Sequence, residues 1–508
     1  MNSRFRSQTV RVERLGNIFR SGFGPSSREV SGVTSSETLP AVTDRLCRET
    51  FGAGDQPAQH TGPSHSAMKV DDFLKADLNR RQFLGRSAQN AAGVAAGMVG
   101  LAGAAALAKG ATSERVRLAV IGARNQGRAL AIGFASLPDA SIVTLCDVDE
   151  NLLPAVVQAV QKVQGTSPTT ERDFRRVLDD PKVDAVVIAT PDHWHATMTA
   201  LACEAGKDVY VETPACHFGG ESSRMIETAR TNHRIVAVGL PQRSGQHFQS
   251  AIRLVQSGQL GQVTLAKAWF VQRRQPLVAA LHTEPPAGVD FESWLGPAPQ
   301  RPFETNRFHY HWHWFWDHGN GELGAWGSQL LDIARWGLDV AWPQRVASTN
   351  GRRVIADEAE TPDALHVQFD CGDKTVIWEH RTWSNHAPEG RTAAVAFFGE
   401  RGTLVVDRGG WKVYDSKEPL TSDASELALP HLADFLAAVK ERRAPAADLE
   451  TGTVSAGWGQ LAAISHRVGR EVLVDDAGRP CGDDALALWQ PASASERGTS
   501  VSRVVDVD

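Results

Sequence analysis

The stretch Leu118-Ala119-Val120-Ile121-Gly122-Ala123-Arg124-Asn125-Gln126-Gly127 joins an apolar run of strand length to a glycine turn and the start of a helix. A strand buried on both faces of a parallel sheet reads as such an unbroken run. Gly122 and Gly127 allow a tight turn and close packing of the next helix, whose N-terminal amides can face a pyrophosphate. Apolar runs at Ile142 to Cys146, Ala185 to Ala189, Val209 to Val211 and Ile235 to Val238 alternate with helix-length segments such as Asn125 to Leu137 and His193 to Ala205. The alternation predicts an α/β Rossmann domain, a doubly wound parallel sheet, over residues 115–240.

Asp147 ends the second strand, 20 residues after Gly127. A carboxylate there accepts hydrogen bonds from an adenosine ribose and repels a 2′-phosphate, so NAD is expected rather than NADP. Arg124 replaces the middle glycine of the fingerprint, where its cation either crowds the phosphates or clamps them. The alternative is a turn that only closes the sheet.

After Pro241 the pattern changes to extended pieces at Val263 to Val271, Ala364 to Phe369, Lys374 to Glu379, Ala393 to Phe398 and Gly402 to Val406. They predict an α+β domain over 241–476 with a mainly antiparallel sheet. Leu432, Phe435, Leu436 and Val439 follow helical spacing and define a helix that lies on that sheet or on the first domain. Leu277 to Pro302, rich in Gly and Pro, reads as a loop system over the cleft. The polar stretch 477–508 reads as a mobile tail.

Upstream, Asn79-Arg80-Arg81-Gln82-Phe83-Leu84 resembles a twin-arginine export signal, and the uncharged run Ala91 to Ala108 follows it. Residues 68–108 are therefore read as a signal peptide, with the twin-arginine translocation machinery as partner and a periplasmic or other extracytoplasmic destination. The run is built of Ala and Gly, a weak composition for a membrane anchor. Residues 1–67 lack an apolar period and read as a disordered extension or a start-site artefact ahead of Met68. The net charge of −6 comes with no basic patch for nucleic acid, which leaves small molecules as the expected ligands. The six cysteines fall in no paired spacing, so no disulfide framework is expected.

Ala189-Thr190-Pro191-Asp192-His193-Trp194-His195 and Ala205-Gly206-Lys207-Asp208-Val209-Tyr210-Val211-Glu212-Thr213-Pro214 resemble the glucose-fructose oxidoreductase and inositol dehydrogenase family, Gfo/Idh/MocA. The likeness continues through Gln242-Arg243-Ser244, Trp294 to Pro299, Gly319 to Trp336 and Gly402 to Asp407. It implies an open sheet that serves as a homo-oligomer interface and a carbohydrate substrate. It also places Thr190, Pro191, His195, Glu212 and Arg243 with Gly122, Arg124, Asn125, Gln126, Gly127 and Asp147 around the cofactor.

The family's Glu-Lys-Pro signature reads Glu212-Thr213-Pro214 here, and its Gly-x-His-x-x-Asp reads Gly327-Ser328-Gln329-Leu330-Leu331-Asp332. Thr213 supplies no cation and Gln329 does not titrate, so the two groups that carbinol oxidation uses in relatives are replaced. Asp332 is retained, either in the cleft or as a buried helix-stabilising carboxylate. Replacements are sought in Phe308 to His318, where His309 and Tyr310 are candidate acid–base groups. Read as extended, that run places His309, His311 and His313 on one face. No metal is expected, since alternating histidines on one strand do not close a tetrahedron. The leading reading is an NAD-dependent oxidoreductase of sugars, polyols or glycosides with a retained cofactor. A redox-neutral glycosidase or lyase and a non-catalytic sugar-binding protein are the alternatives.

N-terminal sequencing of exported protein is expected to begin at Lys109. A mature peptide from before Met68 would overturn the start-site reading.

Overall fold

The computed structural model describes residues 115–415 and 420–491. The expected export leader, the segment ahead of it and the tail after 491 lie outside the described residues.

The first sheet holds β1 (Val116–Ile121), β2 (Ala140–Cys146), β3 (Thr169–Glu171), β4 (Ala185–Ile188), β5 (Asp208–Val211) and β6 (Val236–Val238), all parallel, in the order β3-β2-β1-β4-β5-β6. The order reverses between β1 and β4, so a crevice opens at their carboxyl ends. The connecting helices are α1 (Asn125–Ser136), α2 (Leu153–Gln164), α3 (Phe174–Asp179), α4 (Asp192–Glu204) and α5 (Ser222–Thr231). Each face of the sheet buries its own cluster, one around Phe134, Leu145 and Tyr210, the other around Ile188, Trp194 and Val211.

The second domain carries α6 (Gln246–Gln256), β7 (Val263–Val271), α7 (Phe291–Leu295), α8 (Ser328–Leu338), β8 (Arg345–Gly351), β9 (Ala364–Asp370), β10 (Thr375–Arg381), β11 (Ala393–Gly399), β12 (Gly402–Asp407), β13 (Gly410–Tyr414), β14 (Leu420–Asp423), α9 (Ala428–Glu441), α10 (Leu449–Val468), β15 (Val472–Leu473) and α11 (Asp483–Trp489). Its strands run β14-β13-β12-β11-β7-β10-β9-β8-β15, antiparallel at every junction but β7–β10. Helices α6, α8 and α10 cover one face, where Trp378, Phe397 and Trp458 are fully buried. The Trp458 ring lies 4.7 Å from that of Phe369, an attractive aromatic contact.

The expected helix around Phe435 is α9, and it docks on the first domain. Phe435 meets Phe134 at 6.0 Å and Tyr210 at 5.8 Å between ring centroids. The chain leaving α9 bonds to the edge of β6, with the Val238 amide donating to the Ala447 carbonyl at 2.9 Å. One part of the tail expectation is corrected: α11 lies beyond residue 476, with Ala485 and Trp489 buried. The apolar side of this short helix fills a socket against Trp342 and Gly219; a Cβ on Gly219 would come 2.2 Å from the Trp489 ring.

Phe435→Ala is expected to cost about 3–5 kcal/mol in urea denaturation, the usual loss for emptying a buried aromatic site. A loss below about 1 kcal/mol would show that α9 is not part of the first domain's core.

Candidate functional site

The glycine turn is sterically closed to other residues. Gly122 has φ +90°, and a Cβ there would lie 2.5 Å from the Ala189 carbonyl oxygen; at Gly127 it would lie 1.7 Å from that of Gly122. Asn125 opens α1, and no side chain caps its first turn, so the N-terminal amides suit an anion. Asp147 braces the turn by accepting from the Ala123 amide at 2.6 Å and the Asp149 amide at 2.9 Å. Burial raises its pKa and these bonds pull it back. Each carboxylate oxygen keeps a further lone pair for a ribose hydroxyl. These features fit the adenosine and pyrophosphate of NAD.

The neighbouring segments are tied to the turn. Gln126 donates to Glu212 at 2.9 Å, and the Glu212 carboxylate also accepts from the Thr213 amide at 3.2 Å. Pro191 caps α4. His195 is buried between two carbonyls, Pro214 at 2.7 Å and Thr190 at 2.9 Å, so it clamps the β4 and β5 loops together. Burial lowers its pKa, and a neutral ring donates to only one of the two.

Arg243, expected at the cofactor, grips Asp332 through two bonds of 2.8 and 2.9 Å and stacks on Trp336 at 4.9 Å. Asp332 also accepts from Ser455 at 2.7 Å and Arg335 at 3.3 Å, and its side chain is 1% exposed. Of its two sequence readings the structure supports the buried one, because three side chains donate to a carboxylate that is almost wholly buried.

Thr213 and Gln329 do come together. The Gln329 oxygen accepts from Gln242 at 2.9 Å and from Arg408 at 2.8 Å. Arginine has only donors, so it fixes the amide's orientation, and Gln329 Nε2 points at the Thr213 hydroxyl, 3.4 Å away. Gln242 was quoted only within a family stretch, with no role, and Arg408 was not singled out from sequence. Arg408 stands one residue past the Gly402–Asp407 stretch that carries the family likeness, at the tip of the β12–β13 hairpin. The hairpin's spacing was the available signal.

The aromatic run is corrected as well. His309–Trp314 is a 3₁₀ helix, not a strand, so its histidines do not share one face. His309 donates from Nε2 to Asp149 at 3.1 Å, and burial, then Arg124, pulls its pKa down to about 4. Its neutral ring makes a hydrogen bond rather than an ion pair and is no base near neutrality. Tyr310 is 57% exposed. Desolvation by the surrounding walls and then the Glu322 charge push its phenol up to about 12, so it stays protonated. Among the described residues no cluster of three or more His, Cys, Asp or Glu could hold a metal.

Glu322 is the titrating group that the sequence reading missed. It precedes a π-helical segment, Leu323–Gly327, that leads into α8. Two residues on, Gly324 approaches Asp192 and Pro214 so closely that a Cβ would lie 3.1 and 3.6 Å from them. The Glu322 carboxyl is buried, has no hydrogen-bond or ion-pair partner among the described residues, and is pushed up to about 8 by desolvation.

Residues 116–240 match the oxidoreductase family with the NAD-binding Rossmann fold, GFO_IDH_MocA, and residues 250–488 match its C-terminal alpha/beta domain. The chain belongs to the Gfo/Idh/MocA family. A levoglucosan dehydrogenase from Pseudarthrobacter phenanthrenivorans is 25% identical over 163 residues, 31% of this chain and 42% of the relative. A glycosyl hydrolase family 109 protein from Shewanella pealeana is 25% identical over 210 residues, 38% of this chain and 46% of the relative. These matches span less than half of each relative. Two solved structures share the fold at 18% identity, covering 71% of this chain and 100% of each. They are a levoglucosan dehydrogenase in complex with NADH, TM-score 0.56, and an aldose-aldose oxidoreductase from Caulobacter crescentus complexed with glycerol, TM-score 0.57.

Gfo/Idh/MocA membership makes NAD the cofactor of the first domain, in agreement with the turn, α1 and Asp147. Thr213 and Gln329 are two neutral side chains in mutual contact, with a guanidinium brought in from the second sheet.

Asp332→Ala is expected to cost about 3–5 kcal/mol of stability, because two buried guanidinium groups lose their counter-charge. Thermal unfolding and turnover measured on one preparation separate the roles. Unchanged stability with lost activity would return Asp332 to the chemistry.

Proposed function

We propose that the protein is an exported NAD-dependent oxidoreductase acting on a sugar, polyol or glycoside, with its cofactor tightly held. The observation that carries this reading is the convergence of Thr213, Gln329 and Arg408 beside Glu212, which Gln126 joins to the nucleotide turn. A hydroxylated substrate there meets donors on one side and the crevice of the first domain on the other. The named sugar-active relatives support the substrate class. The twin-arginine motif supports export, which gives a reason for holding the cofactor firmly, and the family's open sheet supports assembly as a homo-oligomer.

Oxidation of a carbinol releases a hydride from carbon and a proton from oxygen. NAD, when bound, supplies the hydride acceptor. Thr213 and Gln329 orient the hydroxyl, and Glu322 takes its proton. The carboxylate form is the active base, so kcat/KM rises with pH through about 8. The relative named as a family 109 glycosyl hydrolase favours a second reading, in which a glycoside is cleaved without net redox change. Cleavage without added NAD separates it from dehydrogenation.

Acid-denatured mature protein is expected to release about one NAD per chain, and its absence sinks both enzymatic readings. Glu322→Gln is expected to lower kcat by about 100-fold or more, within the usual range for a general base, and to abolish the alkaline rise. The same rise in the variant would exclude Glu322 as the base.

A further inference from the structure

The cleft holds one cation whose neighbours leave it without a counter-ion. Arg408 makes no ion pair among the described residues, although two carboxylates stand close. Asp407, next to it in the chain, is taken by Arg391 at 2.6 Å and by the Gly409 amide at 2.8 Å, which also locks the hairpin tip. Glu212 acts on Arg408 only through space, since its oxygens accept from Gln126, Thr213 and Tyr210. The guanidinium lies 4.9 Å over Trp326, which stacks on Phe270 at 4.9 Å with planes 16° apart. Solvent reaches the side chain, while the walls of the cleft desolvate it in part and lower its pKa. An arginine stays charged through such a shift.

We infer that Arg408, with the amide of Gln329 and the hydroxyl of Thr213, forms a carboxylate-binding subsite, and that the substrate is an acidic sugar such as a hexuronate or an aldonate. This deepens the reading of the crevice as a sugar site and rests on it. One guanidinium N–H is committed to Gln329, and the remaining fork matches the two oxygens of a carboxylate. Trp326 fixes the plane of that fork, so little ordering remains to be done on binding. A neutral hydroxyl uses one of these donors and leaves the charge uncompensated. The Gln329 amide, with its oxygen held by Gln242 and Arg408, turns its own donor toward Thr213 and the same space.

The test is calorimetric titration of the nucleotide-loaded, full mature protein with D-glucuronate and D-galacturonate, against D-glucose and D-galactose, at low and high salt. At least one acid is expected to bind ten-fold or more tighter than its neutral parent, with an advantage that shrinks in salt. Charge-assisted hydrogen bonds of this kind make Arg408→Gln lose about 10–100-fold in affinity for that acid. The loss for the neutral sugar is smaller than for the acid, and Arg408→Lys retains part of the preference. Equal binding of acid and parent, no binding of any acid, or a preference that survives Arg408→Gln overturns the assignment. Arg408→Gln protein that folds but arrives without nucleotide also overturns it, by moving Arg408 to the cofactor. Wild-type protein without nucleotide sinks the oxidoreductase reading instead, and the same titrations then still report on the acid.

Discussion

The Asp332 carboxylate holds the two halves of the site in register. It accepts from Arg243 in the turn just after β6, where the domains join, from Arg335 on its own helix and from Ser455 on α10. Burying one carboxylate and two guanidinium groups costs desolvation energy that only close pairing offsets, so the arrangement stabilises one geometry rather than a range. Gln329 sits one turn ahead of Asp332 on α8, and its distance to Thr213 is inherited from that anchorage. Loosening the ion cluster would therefore disturb the donor set before any of its members was touched.

From this anchorage Thr213 and Gln329 form one unit. Both are neutral, and the charge sits on Arg408, across the amide. A lysine restored at position 213 would face that guanidinium at short range, and the two cations would repel. A cation on the second sheet meets a different part of a ligand than one on β5 would.

How far the sequence was legible follows from burial. Strands β1, β2, β4 and β5 are apolar because both faces of a parallel sheet are covered, and each was found. Strand β3, Thr-Thr-Glu, lies at an edge with exposed side chains, and β8 and β14 are largely polar, so none carried a signal. The run from His309 mimicked a strand by alternating histidine with larger rings. Its conformation is set instead by packing, which turns His313 and Trp314 inward together. Within the site, Thr213 and Gln329 were visible as departures from family motifs. Arg408 was not, because 79 residues separate it from Gln329 and only the register of the second sheet brings them together.

The docking of α9 and α11 bears on the order of folding during synthesis. The first domain is made early, yet one face of its sheet is completed by Phe435, and Trp489 closes against Gly219. A nascent chain cannot cover that face of the sheet on the ribosome until residues near 435 have emerged. Until then the half-covered sheet exposes apolar surface, a natural place for a chaperone to bind.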